Sequence, residues 1–234
     1  MLTSLSPGSF HPKAIASWRH TCVLVAFFLV LTLAGIIFQH RAGSQPGIVP
    51  QHRDMSPVYL SLIFGQCGLL YYVWKGLRRT GTKLSELVSG RWMSVKDVLF
   101  DAVLAAGLWM IWLLTQRTWD GVFGLGHAAS ISSLLPQQPM ELVLWVVLSI
   151  SAGFSEEVIF RGYFQKQFEA LTRNMWIALL LQASLFGISH GYQGVGAALK
   201  ITLFGCLFGL FAWWRKSLRP GIIAHALADI LAVV

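Results

Sequence analysis

The stretch GFSEEVIFRGY, Gly153 to Tyr163, sets two adjacent glutamates and an arginine directly behind an apolar run that begins at Leu142. Hydrocarbon tolerates such charge poorly; ionisable side chains within membrane segments face the bundle interior, pair with one another and mark function. The first question is whether the rest of the chain is built for a membrane. Of its 234 residues 55% are hydrophobic and 12% charged, and the mean hydropathy is positive. A soluble domain of this size buries a good core with far less apolar content. Several runs are also as long as a bilayer is thick, at about 1.5 Å per helical residue and ~30 Å of hydrocarbon.

Seven spans follow from those runs: Thr21–Phe38, Pro57–Trp74, Val98–Leu114, Leu142–Phe160, Trp176–Ile188, Leu199–Trp214 and Ile222–Val234. The expected fold is all-α, a polytopic membrane protein forming a bundle of about seven transmembrane helices. A cytoplasmic amino-terminal segment, 1–20, precedes a single membrane-embedded domain, 21–234. The fifth and seventh spans are short, and cross only with their polar flanks or a locally thin bilayer. The first, with an apolar run of 18 residues, exceeds the ~7–15 of a cleaved signal and is expected to stay as an anchor.

The formal charge of +8 does not point to nucleic acid, because of where it lies. Fourteen of the 18 Lys and Arg residues fall on alternate connections and 4 on or at the edge of the others, Lys200 standing at the start of the sixth span. That is the positive-inside pattern. It predicts an integral protein of a plasma or inner membrane with a cytoplasmic amino terminus and an external carboxyl terminus. The basic stretch KGLRRTGTKLSELVSGRWMSVKD, Lys75 to Asp97, is then a cytoplasmic connection lying on anionic headgroups. The longest external connection is Gln116 to Glu141. Cys22, Cys67 and Cys206 all fall within spans, show no metal or redox spacing, and are expected to pack as small apolar residues.

Within the fourth span, Glu157 and Arg161 are four apart on one helical face, the acid toward the amino end, which favours an ion pair. Glu156 points roughly 140° away from Arg161 at ~3.6 residues per turn. One glutamate becomes the paired, structural carboxylate; the other is left for a different neighbour, as a general base or acid requires. Later spans supply that neighbour. SLFGISHG brings His190 four residues after Phe186, on the same face, and PGIIAHALADI brings His225 and Asp229 four apart on one face. The G-x-x-x-G steps Gly187/Gly191 and Gly205/Gly209 would let these helices approach closely.

These three clusters carry a resemblance. EEVIFR matches an E-E-x-x-x-R motif, FGISH an F-x-x-x-H motif and HALAD an H-x-x-x-N/D motif of the CPBP family (CAAX proteases and bacteriocin-processing proteins). These are intramembrane endopeptidases of the type II CAAX prenyl protease class, also called the Abi family. The similarity runs from about residue 141 to 234; the first three spans match only in being hydrophobic. The resemblance implies that Glu156 with His190 activates a water for attack on a peptide carbonyl, while His225 with Asp229 stabilises the oxyanion. Glu157 and Arg161 would hold the helix in place. Asp229 departs from the better-known Asn, and donates a hydrogen bond only when protonated. It would instead orient His225 or keep it cationic, so that the imidazolium alone is the donor. A glutamic mechanism without metal fits the Glu–Arg pair beside the base. The zinc alternative would use Glu156, His190 and His225 as ligands.

The implied partners are membrane lipid and a membrane-associated peptide or protein, with a site reached from the cytoplasmic side or laterally. Whether the substrate is a prenylated carboxyl terminus, a bacteriocin leader or a carboxyl-terminal sorting helix is not written in any motif. Two rival classes stand beside the protease: a proton-coupled transporter, which lacks the expected inverted repeat, and a non-catalytic immunity or scaffold protein of the same fold. The residue count also sets a geometric demand. His190 lies at the end of the fifth span farthest from Arg173, about 25 Å along a helix, so it meets Glu156 only if the fourth helix runs well past Arg161 or the fifth tilts strongly.

Overall fold

The computed structural model describes residues 13–43, 54–124 and 134–233. Most of the amino-terminal segment, the middle of the 116–141 connection and the last residue of the expected seventh span lie outside that set. Among the described residues every regular element is helical: α1 Trp18–Gly43, α2 Ser56–Arg78, α3 Leu84–Val88, α4 Val95–Phe123 and α5 Pro139–Glu156, then a π-helical segment Glu157–Phe164. There follow α6 Gln165–Thr172, α7 Met175–Ser189, a 3₁₀ turn Gly191–Gln193, α8 Val195–Arg215, α9 Arg219–Ile230 and a closing 3₁₀ turn Leu231–Val233.

The helix starts follow from local chemistry. Prolines occupy the first turn of α2, α5 and α9, where a missing N–H costs no intrahelical bond. Ser94 caps α4 through the Asp97 N–H, with the Asp97 carboxylate reaching back. Asn174 caps α7 by accepting from the Trp176 and Ile177 N–H groups. Five helical runs are long and apolar enough to cross a bilayer, which makes this an all-α polytopic membrane protein. Of the two expected short spans, α7 has 15 residues. The last one differs from expectation: it starts at Arg219, not Ile222, and its 12 residues end at Ile230. Twelve residues rise only about 18 Å, so α9 is held between α4 and α5 rather than crossing alone.

The fourth span also differs, and the difference meets the geometric demand. From Pro139 to Thr172 the chain is one continuous 34-residue helical run, well beyond the expected end at Phe160. It reverses at Arg173, whose left-handed backbone (φ 54°) ends α6, and α7 returns beside α6. Glu156 and His190 are thus nearly equidistant from the reversal, each about 22–24 Å along its helix, and end at one depth.

Close helix approach locks this register. A Cβ on Gly205 would lie 2.8 Å from the Ala183 Cα, and one on Gly187 would lie 2.5 Å from the Ala198 carbonyl oxygen. The α7 and α8 backbones meet where only glycine fits. Gln182, fully buried, donates to the Gly205 carbonyl at 2.9 Å. Gly191 belongs to a different contact, facing Thr32 and Ile36 of α1. Of the cysteines only Cys206 is half-buried; Cys22 and Cys67 lie exposed on outer helix faces, not in packed positions.

Candidate active site

Gly153 brings α5 and α9 together. A Cβ there would stand 2.8 Å from the Ala226 nitrogen and 3.0 Å from the Ile222 carbonyl oxygen, so the two backbones touch one turn before the glutamates. His225, next to Ala226, therefore faces Glu157. Its Nδ1 lies 2.9 Å from Glu157 Oε1. The same Oε1 is 3.1 Å from Arg161 Nη1, close as an ion pair but without hydrogen-bond alignment. The Arg161 guanidinium sits over the rings of Phe186, Phe204 and Phe208, at 4.3, 5.4 and 5.8 Å from their centroids. Glu157 thus has two partners, Arg161 and His225, in a fully buried setting.

Glu156 is turned the other way. It is 3.7 Å from His225 Nε2, and its side chain is a quarter exposed, at the wall of a cavity of about 260 Å³. The π-helical segment begins immediately after it, with all eight residues buried. Such widened turns occur mostly as local insertions at functional sites. Asp229 Oδ2 is 3.8 Å from the same His225 Nε2. The Asp229 backbone carbonyl accepts from Trp145 Nε1 at 3.0 Å, tying α9 to α5.

His190 terminates α7. Its Nδ1 is 2.9 Å from the Phe186 carbonyl oxygen and 3.2 Å from Ser189 Oγ. A carbonyl only accepts, so Nδ1 carries the hydrogen, and neutral His190 presents the Nε2 lone pair. The Phe186 ring packs edge-on against both imidazoles, 4.9 Å from His190 and 6.1 Å from His225. His225 is oriented by the same logic: with its Nδ1–H given to Glu157, Nε2 donates only when the ring is charged.

Glu156, His190, His225 and Asp229 all line the one cavity, together with Tyr59, Gln66, Trp112, Gln116, Trp145 and Tyr192. Among the described residues His190 makes no direct bond to Glu156 or His225; it shares their cavity across open space. Tyr192 lies outside the spans. Burial pushes its phenol above the ordinary value, Glu156 and Asp229 act in the same direction, and the Gln193 hydrogen bond opposes them. It therefore stays protonated and able to donate. The zinc set Glu156, His190 and His225 is not drawn into a cage: among the described residues no three His, Cys, Asp or Glu side chains are grouped to hold a metal ion.

The cavity departs from expectation in one respect. It is built from the ends of the helices where α2, α5 and α8 begin and where α4, α7 and α9 finish, and from Leu134 and Tyr192 in the connections at that end. None of its walls comes from the basic connections. Sequence reasoning also missed the bond from His225 to Glu157, the aromatic seat of Arg161 and the closeness at Gly153. Only Gly153, lying one turn before the acids, left a signal that could have been read.

Two carboxylates, Glu156 and Asp229, and two imidazoles, His190 and His225, thus line one cavity of a polytopic helical protein. Residues 138–231 match the family model described as type II CAAX prenyl endopeptidase Rce1-like. The matched stretch, 94 of the chain's 234 residues, is the part that holds the three motifs. Over that stretch the chain is similar to a family of CAAX-type proteases. No curated protein and no solved structure matches the chain.

Proposed function

We propose that the chain is an intramembrane endopeptidase of glutamic type that cleaves a membrane-associated or hydrophobic-tailed peptide. The observation that carries this reading is that Glu156, His190, His225 and Asp229 line one cavity, while Glu157, the adjacent acid, is tied up by Arg161 and His225. A water between Glu156 and the His190 Nε2 lone pair would lose a proton to Glu156 as its oxygen bonds to the peptide carbonyl carbon. Imidazolium His225, held through Nδ1 by Glu157, would donate from Nε2 to the oxyanion, with Asp229 keeping its charge balanced. Collapse of the tetrahedral intermediate breaks the C–N bond. The amine departs with the proton that Glu156 gained, leaving one new carboxyl end and one new amino end.

The test is a comparison of membrane peptides by mass spectrometry in cells carrying the wild type or Glu156→Gln. Cleavage products present with the first and missing with the second are expected. A scaffold or immunity protein would be indifferent to the substitution, so identical peptide sets at equal protein level would defeat the hydrolase reading.

A further inference from the structure

The opening of the cavity bears on what can be a substrate. Leu134, Tyr192, Gln193 and Ala232, the lining residues nearest the helix ends and taken as its rim, lie at the bundle end that carries few basic residues. The opposite end carries Lys75, Arg78, Arg79, Lys83, Arg91, Lys96, Arg173, Lys216 and Arg219. Two of the few cations on the poor side are Arg117 and Lys200, and Lys200 is neutralised at 2.8 Å by Asp120. We propose that the cavity opens to the non-cytoplasmic side of the membrane. The scissile peptide would then lie in the outer half of the bilayer or just beyond it, as part of a membrane protein's outer segment, not of a cytoplasmic tail.

Three observations support this beyond the charge count. First, the route from the basic side is filled. Val158, Ile159, Phe160, Tyr163 and Phe164 are all at most 1% exposed, and Leu87 of α3 and Leu218 close over Gly162, each within 3.1 Å of where a Cβ would stand. Second, a separate crevice of about 240 Å³ does enter from the basic side, between α6 and α8, and the buried Arg161 is among its lining residues. None of Glu156, His190, His225 and Asp229 lines it. The guanidinium, stacked on Phe186 and paired with Glu157, is the partition between the two. Third, the cavity is also lined by amides, Gln66 on α2, Gln116 on α4 and Gln193. The Gln66 Oε1 is buried without a partner among the described residues, an acceptor suited to the N–H of an extended peptide.

This inference rests on the hydrolase reading for its substrate, but its sidedness is tested without catalysis. In a full-length chain whose three native cysteines are replaced by alanine, Gln193→Cys and, separately, Ala232→Cys probe the rim; Ser85→Cys probes the basic connection. Each is treated with a membrane-impermeant maleimide in right-side-out and in inverted membrane vesicles. The rim cysteines are expected to label at least tenfold more in right-side-out vesicles, and Ser85→Cys at least tenfold more in inverted ones. Rim labelling confined to inverted vesicles overturns the proposal, as does equal labelling from both sides. The new peptide ends lost in Glu156→Gln cells should map to outer halves or outer tails of membrane proteins; ends in cytoplasmic tails overturn it too. Correct labelling with no peptide differing between wild type and Glu156→Gln overturns the hydrolase reading and leaves the sidedness standing.

Discussion

Glu156 and Glu157 are neighbours in sequence and opposites in setting, one at the cavity wall and the other buried between Arg161 and His225, and conversion of each to glutamine tests whether they also differ in role. Glu157→Gln removes the anion paired with Arg161, whose guanidinium is fully buried. Breaking a buried pair from one side costs about 3–5 kcal/mol, because the remaining charge is stranded. The amide oxygen of the introduced glutamine can still accept from His225 Nδ1, so part of that bond survives. Against a typical total of about 5–15 kcal/mol, the loss is a large fraction of the folding free energy. At about 2–4 °C per kcal/mol for a chain of this size, the melting temperature should fall by about 6–20 °C. Glu156→Gln removes a carboxylate that is a quarter exposed and has one ionisable neighbour at 3.7 Å, and should stay within about 1 kcal/mol of wild type. Thermal unfolding of the detergent-purified proteins, followed beside peptide cleavage, reads both. Glu156→Gln is expected to melt like the wild type and cleave nothing. If Glu157→Gln melted with the wild type while Glu156→Gln was destabilised, the division of labour argued from burial would be refuted. A double substitution, Glu157→Gln with Arg161→Met, checks the cause: removing the stranded cation should recover several degrees.

Three further outcomes follow from the geometry. Gly153→Ala puts a methyl group 2.8 Å from the Ala226 nitrogen; overpacking costs about 1–3 kcal/mol, and an ~1 Å shift of His225 should cut kcat about a hundredfold, whereas cleavage at the wild-type rate would show that the close contact is not needed. Asp229→Asn, which keeps shape and adds a donor beside His225 Nε2, should retain activity within about tenfold, whereas Asp229→Ala should lose about 10²–10³; an Asn variant as inert as Ala would mean that the negative charge itself is required. Because the zinc alternative finds no ligand cage among the described residues, prolonged chelation followed by metal analysis should leave cleavage unchanged, and loss restored by added zinc would overturn the glutamic mechanism.

The helical bundle was legible because hydrophobic run length reports directly on bilayer thickness, and the acid and imidazole motifs because charge stands out in apolar helices. What could not be read was partnership. Helical spacing correctly brought Glu157 toward Arg161, but it is blind to the fact that α9 lands on the same carboxylate, since that contact spans 68 residues of chain. The same limitation left the full length of the fourth helix as one of two options. Arg161, Lys166 and Arg173 look like a membrane boundary, yet the helix runs on to Thr172, with Gln167 tied to the amino-terminal end of α1 through Ala16 and Thr21. The direction of the cavity escaped for a related reason: apolar residues line both lipid-facing and cavity-facing surfaces, and only tertiary contacts tell them apart.

One carboxylate is shared at the centre of the buried site: the Arg161 guanidinium and the His225 imidazole both bear on Glu157. Without Arg161, Glu157 would be balanced by His225 alone, and the imidazole would be drawn wholly to it. With Arg161 present, His225 keeps its Nδ1 bond to Glu157 while its Nε2 still lies 3.7 Å from Glu156 and 3.8 Å from Asp229. Arg161, which is not among the residues lining the cavity, thus bears on His225 only through Glu157. A cation seated on three phenylalanine rings is held there by packing as well as by charge. Lysine at that position would keep the charge but lose the planar stacking, so Arg161→Lys should weaken catalysis more than its modest loss of stability accounts for. A variant whose cleavage rate followed its melting temperature alone would show that Arg161 only supports the fold.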